Sequence, residues 1–209
     1  MRTLVIDCST EACSGALFDE TDLIAGFHEM LGRGHAERLV PMIASLPNKG
    51  QAERIVVALG PGSFTGVRVG IATARALAFA WQARLAGYST SALIAAMARA
   101  EVGEQDVAVA MAGGHGEWFV EGFAPDGLVR RPLTSLLPEV AATQSNEHVV
   151  AGTRAQELVT MRGSGHALTL WPDARAFSQL PDVALRDNVE PIYGRGPDAK
   201  LPAAPACPK

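Results

Sequence analysis

Lysine is nearly missing from this sequence. Only Lys49, Lys200 and Lys209 occur in 209 residues, so arginine carries almost all the positive charge. The formal net charge is −4 and the pI lies near 5.7. Phosphate-binding surfaces leave a basic footprint, so this balance excludes a broad nucleic-acid surface and leaves room only for a local basic patch. Cysteine is scarce too. Cys8, Cys13 and Cys207 form no C-x-x-C pair, and their odd number suits reduced thiols better than a disulfide framework. Long apolar runs are also lacking. The opening run Leu4-Val5-Ile6 stops at Asp7, far short of a membrane span, and it has no secretory core. The expectation is a cytoplasmic protein with no membrane association.

Catalytic and metal-binding patterns are equally thin. His28, His35, His115, His148 and His166 are scattered without ligand spacing. Ser9 and Ser63 have no neighbouring histidine and acid in the arrangement of a nucleophile elbow. What the chain does have is material for a core, with 48% hydrophobic and 19% charged residues. Its length suits one large domain or two small lobes at about 100–200 residues per domain.

Three apolar stretches open the chain: Leu4 to Asp7, Ala12 to Phe18 and Leu23 to Met30. The turn-like Cys8-Ser9-Thr10-Glu11 and Asp19-Glu20-Thr21-Asp22 separate them. They predict an antiparallel meander. Leu39, Val40, Met42, Ile43 and Leu46 then have helical spacing over His35 to Leu46, with Pro41 inside the run. Arg54 to Leu59 reads as a strand. A long Ala-rich helix follows, reaching Trp81. One face carries Val67, Ile71, Ala74, Ala78 and Trp81, and Ala72, Ala76 and Phe79 cover another. A helix this apolar is buried on most sides or packs on a helix of another protein. Arg84 to Tyr88 predicts a strand, and Thr90 is the expected N-cap of a helix through Arg99.

The polar Glu101, Glu104 and Gln105 suggest a boundary, giving lobes over 1–103 and 104–197 and a loose tail over 198–209. In the second lobe, strands are predicted over Val107 to Ala112, Glu117 to Phe123, Leu128 to Leu133 and His148 to Ala151, then a helix over Thr153 to Arg162. The order of elements weakly echoes the first half.

The stretch joining the fourth strand to the Ala-rich helix is glycine-rich: Gly60-Pro61-Gly62-Ser63-Phe64-Thr65-Gly66-Val67-Arg68-Val69-Gly70. It fails the count for a Walker loop, which needs G-x-x-x-x-G-K-[ST]. It also fails G-x-G-x-x-G, because its third glycine comes one residue late and no acid closes the next strand. Pro61 removes a backbone N–H that could face a phosphate. The remaining reading is a tight structural turn. Arg68 falls in the first turn of the helix, where the macrodipole disfavours a cation. Its compensation is expected from an intramolecular carboxylate, a partner's carboxylate or a phosphate.

These eleven residues closely resemble the signature of the TsaB (YeaZ) family. Other segments agree in order: Leu4-Val5-Ile6-Asp7 with Ser9-Thr10 and Cys13-Ser14, His35 with Arg38-Leu39-Val40-Pro41-Met42, Tyr88-Ser89-Thr90, Gly116-Glu117, and Glu190-Pro191-Ile192-Tyr193 with Arg195. The resemblance implies an α/β fold of the actin-like (ASKHA, ribonuclease H-like) duplicated type. It also implies a non-catalytic subunit that pairs with the catalytic paralogue TsaD in making threonylcarbamoyladenosine next to the tRNA anticodon. The ATPase TsaE would join the pair, and tRNA would be met through the complex. ATP and metal would belong to the partner subunits, with no cofactor intrinsic to this chain.

By the same analogy, the contact would use Leu39, Met42, Ile43, Gly66, Val67, Gly70, Ile71, Ala74, Ala78 and Trp81, while Gly60, Pro61, Gly62, Phe64, Thr65 and Arg68 would form the structural loop. An apolar contact helix without its partner favours a homodimer. The sequence departs from the family at Ala112-Gly113-Gly114-His115, where an Asp-Ala-Arg type segment is common. Two other readings stay open. One is an actin-like small-molecule kinase or ATPase acting alone. The other is a glycopeptidase-like metalloprotein, which would need a histidine pair at helical spacing.

Overall fold

The structure, a computed structural model, describes residues 1–194. The predicted tail from Asp198, the end of the predicted second lobe and the signature residue Arg195 lie outside the described residues.

The opening meander forms as its alternation requires. Strands β1 (Arg2–Asp7), β2 (Ala12–Asp19) and β3 (Asp22–Met30) pair antiparallel. Helix α1 (His35–Ala44) follows, then a short 3-10 turn (Pro47–Gly50), β4 (Arg54–Ala58), α2 (Phe64–Trp81), β5 (Arg84–Tyr88) and α3 (Thr90–Val102). Pro41 does not delay α1, which starts at His35 and runs through it; it lies on the exposed side, and the Ser45 N–H donates to its carbonyl at 3.2 Å. Helix α3 begins one residue earlier than Thr90 as a cap would allow, with Ser89 in the extended capping position, and it runs on to Val102. β4 lies parallel to β1, and β5 parallel to β4.

The second half repeats this order. β6 (Val107–Ala112), β7 (Trp118–Phe123) and β8 (Val129–Leu136) form a second antiparallel meander. Helix α4 (Pro138–Gln144), β9 (Val149–Ala151), α5 (Ala155–Arg162) and β10 (His166–Leu168) follow, with β9 parallel to β6 and β10 parallel to β9. The strand orders β5-β4-β1-β2-β3 and β10-β9-β6-β7-β8 are therefore the same unit built twice. After β10 the chain crosses back. Its last strand, β11 (Leu185–Arg186), pairs antiparallel with β5 at the edge of the first sheet. The first sheet is thus not confined to residues 1–103. α4, β10 and β11 have no counterpart in the sequence reading: they are short, and tertiary contacts rather than periodicity define them.

The alternation of each strand sorts its side chains between two cores. Val5, Val56 and Ala58 face a layer shared with α3 and with Val107, Val109 and Met111 of the second sheet. Leu4, Ile6, Ile55 and Val57 face the other way, onto α1 and α2. On the far side of the second sheet, Ala108, Ala110 and Val150 pack on Ala141 of α4 and Leu158 of α5. The layers thus run from α1 and α2, through the first sheet, α3 and the second sheet, to α4 and α5.

Candidate functional site

Two features stand out: the loop that launches α2, and the outward face of the α1–α2 pair.

The loop is fixed from its own residues upward. Ser63 caps α2, its Oγ accepting from the Gly66 N–H at 3.2 Å. Its backbone N–H donates to the Ser9 carbonyl at 2.7 Å, tying the loop to the turn after β1. Glycine is required at two positions. A Cβ on Gly62, where φ is +155, would run into the Ser9 carbonyl, and one on Gly66 would run into the Cys8 carbonyl. On the other side, the Gly60 carbonyl accepts from the Thr90 N–H at 2.9 Å, and the Leu59 carbonyl accepts from the Ile192 N–H at 2.7 Å. The glycines therefore serve backbone-to-backbone contact.

Beneath the β1–β2 turn lies Asp7, fully buried. Its carboxylate accepts from the Ser9 backbone N–H at 2.9 Å, from the Ser9 hydroxyl at 2.6 Å and from the Tyr88 hydroxyl at 3.0 Å. Burial pushes its pKa up, and these three donors pull it back down. The Tyr88 phenol is pushed well up, first by its own burial and then by the Asp7 charge. Cys8 and Cys13 are buried free thiols with sulfurs 3.6 Å apart.

The intramolecular carboxylate expected beside Arg68 is not found among the described residues. Its Nη2 and Nε donate to the Tyr193 hydroxyl at 3.0 and 3.3 Å, and its guanidinium carbon lies 3.6 Å over the Phe64 ring. The Phe64 and Tyr193 rings are themselves in contact, tilted by 32° with centroids 5.9 Å apart. This trio forms one wall of a cavity of about 960 Å³ between the two halves, whose other walls include Met111, Gly114, Phe119 and Thr153. The cavity mouth carries Glu11. No cluster of three or more metal-ligating side chains occurs among the described residues.

The expected contact residues divide differently. Leu39, Met42, Ile43, Val67, Ile71, Ala74 and Ala78, with the backbone of Gly66 and Gly70, are buried inside this chain, where they join α1 and α2 to the first sheet. They are core residues and are not available to a partner; Trp81 is half-buried. The exposed face is the opposite one. Ala36, Val40 and Ala44 form a stripe at i, i+4, i+8 on α1, and Ala72, Ala76 and Ala80 form another on α2. Phe79 stands beside the second stripe with 89% of its surface exposed, and Val40 is 51% exposed. The sequence held the signal for this: the second apolar face of α2, with Ala72, Ala76 and Phe79, was legible, but which face the sheet would cover was not.

Comparison with known proteins bears on both features. Aligned over 97% of its length, the chain is 39% identical to the tRNA threonylcarbamoyladenosine biosynthesis protein TsaB of Escherichia coli, covering 99% of that protein. The chain belongs to the TsaB family. The TsaB of Bacillus subtilis is 36% identical over 104 residues, 47% of this chain and 45% of that protein. Among solved structures, YeaZ from Pseudomonas aeruginosa superposes with a TM-score of 0.78 at 30% identity, covering 92% of this chain and 99% of that one. The ethanolamine utilization protein EutJ from Carboxydothermus hydrogenoformans, at 12% identity and a TM-score of 0.50 over 87% of this chain and 90% of that one, shares the fold. The duplicated meander-and-crossover unit is therefore the actin-like fold expected of a TsaB. Residues 28–123 also match the family described as TsaD: tRNA N6-adenosine threonylcarbamoyltransferase. No helix among the described residues of this TsaB-family chain is long and apolar enough to cross a membrane.

Proposed function

We propose that this chain is a non-catalytic subunit in threonylcarbamoyladenosine formation on tRNA, and that it pairs with a TsaD-like catalytic paralogue through the exposed face of α1 and α2. The observation that carries the reading is the pair of outward alanine stripes with Phe79 beside them. Small side chains let helices approach closely, and Val40 and Phe79 beside the stripes add apolar surface that a partner would cover. A second observation supports the kind of partner. The segment matching the TsaD family, 28–123, contains both helices. A paralogue carrying the equivalent helices offers a matching face, so the two chains meet about a pseudo-twofold axis. In the absence of the paralogue the same face takes a second copy of this chain.

ATP and metal reside with the partner subunits, and an ATPase of the TsaE kind joins the assembled pair. tRNA is engaged through the complex, in keeping with the net charge of −4. The work takes place in the cytoplasm. The test is co-purification with a TsaD-family partner and reconstitution of tRNA modification. Ala76→Arg should abolish both while the thermal unfolding of the isolated chain stays put. The reading fails if pairing survives both Ala72→Arg and Ala76→Arg, or if the isolated chain hydrolyses ATP or modifies tRNA by itself.

A further inference from the structure

The cavity beside Arg68 is large, walled from both sheets and untouched by the pairing face. Among its described lining residues Arg68 is the single arginine or lysine and Glu11 the single carboxylate. A guanidinium has five N–H donors. Here two of them converge on one oxygen, the Tyr193 hydroxyl, and no carboxylate among the described residues meets the others. One flat face of the guanidinium is covered by the Phe64 ring at 3.6 Å, which fixes its orientation and removes water from that side. Arg68 is the fifth residue of α2, just past the first turn, so the helix dipole acts on it only weakly. Among the described residues, then, this exposed arginine meets no carboxylate, and Phe64 and Tyr193 hold its guanidinium in one orientation beside the cavity, ready for an anion.

The remaining walls say what that ion carries. Met111, Phe119 and Ile192 supply apolar surface, and Thr153 adds a hydroxyl. The volume falls in the range of about 300–1,000 Å³ usual for small-molecule sites. One arginine shared with Glu11 neutralises little charge, and no metal-ligating cluster is at hand among the described residues. A polyphosphate is therefore poorly served, and an anion of low charge is favoured.

We propose that this cavity binds a small organic anion, a carboxylate or phosphate monoester on a flat apolar body, with Arg68 as its counter-ion and Phe64 and Tyr193 as the platform holding the guanidinium. This site stands independently of the pairing reading.

Calorimetric titration of the full chain tests it, using adenosine monophosphate and phenylpyruvate as the two anions, with adenosine and inorganic phosphate as partial ligands. At least one of the two anions should bind with one-to-one stoichiometry, and more tightly than adenosine or phosphate. Which one binds distinguishes a phosphate head from a carboxylate head. Arg68→Gln should weaken binding at least about tenfold, as expected on losing a charge-assisted contact. Gly114 lines the cavity and a Cβ there meets nothing within 4 Å, so Gly114→Leu should be accepted by the fold, crowd the cavity and weaken binding. Thermal unfolding of each variant checks that it is folded. The proposal is overturned if neither anion binds at millimolar concentration, or if binding is the same in the wild type and in a folded Arg68→Gln or Gly114→Leu variant.

Discussion

Gly66, in the first turn of α2, packs directly against the carbonyl of Cys8 at the end of β1, leaving no space for even one methyl group. Gly70, one turn further on, faces the same cysteine, but a Cβ added there would lie 3.6 Å from the Cys8 Cβ, an ordinary van der Waals distance. Two glycines four residues apart on one helix thus have different reasons to be there. Gly66→Ala forces the helix off the β1–β2 turn and should cost about 1–3 kcal/mol, as overpacking of a rigid contact does. Gly70→Ala has room, and in a helix interior alanine is favoured by about 0.5–1 kcal/mol. Urea unfolding should therefore move the two midpoints in opposite directions. Equal losses at both positions would show that the β1–β2 turn yields and that the contact at Gly66 is not a constraint.

The two faces of α2 give a second contrast. Ala74 is fully buried against the first sheet, and Ala76 is exposed. Arginine at position 74 places an unpaired charge in the core and should cost more than about 4 kcal/mol, a large fraction of the about 5–15 kcal/mol that holds an ordinary domain together. Arginine at position 76 should change the stability of the isolated chain by less than about 0.5 kcal/mol. Circular dichroism melts separate the two variants before any pairing assay is run.

That contrast shows where the sequence was legible. The period-2 runs from Leu4 to Met30 and the glycine loop determined the meander, the strand into α2 and the start of that helix, because each is written in local chemistry. The side of α2 that meets the sheet is decided by the register of β4 and by the packing of α1, which no single helix encodes. So Val67, Ile71, Ala74 and Ala78 were correctly read as one face, and only the structure shows that this chain's own core occupies it. The partner of Arg68 is a similar case. Tyr193 lies 125 residues away, and the hydrogen bond exists because the chain crosses back after the second sheet to place β11 beside β5.

Asp7 makes a pH prediction. Burial raises its folded pKa above the ordinary 3.8. An acid with a raised folded pKa binds its proton more tightly when folded, so its contribution to stability is fullest below the unfolded value and is lost as pH rises through the folded one. Asp7→Asn removes that loss. It can keep the local network, since the amide oxygen can accept from Ser9 and the amide nitrogen can donate to the Tyr88 hydroxyl. Relative to wild type, the variant should gain stability as pH rises from the ordinary carboxylate value through the raised folded one. A difference in melting temperature that stays constant across that window would mean that Asp7 holds no raised pKa.

A second buried acid joins the two halves of the molecule. Glu121 of β7 accepts a hydrogen bond from the hydroxyl of Ser91 in the first turn of α3, and Ser91 also meets the Ser89 hydroxyl at 2.9 Å. Burial raises the Glu121 pKa, while the Ser91 donor and the more distant Arg186 and Arg131 lower it. Ser91→Ala deletes the donor and leaves the carboxyl buried, which should cost about 1–3 kcal/mol. The cost has a sign in pH. The lost hydrogen bond stabilised the charged form, so the variant's folded Glu121 pKa lies above the wild-type one, and the penalty grows as pH rises through that range. Denaturant unfolding in acid and at neutral pH measures it directly. A penalty that is larger in acid would mean that Ser91 serves the protonated acid, with the serine oxygen accepting the proton of Glu121.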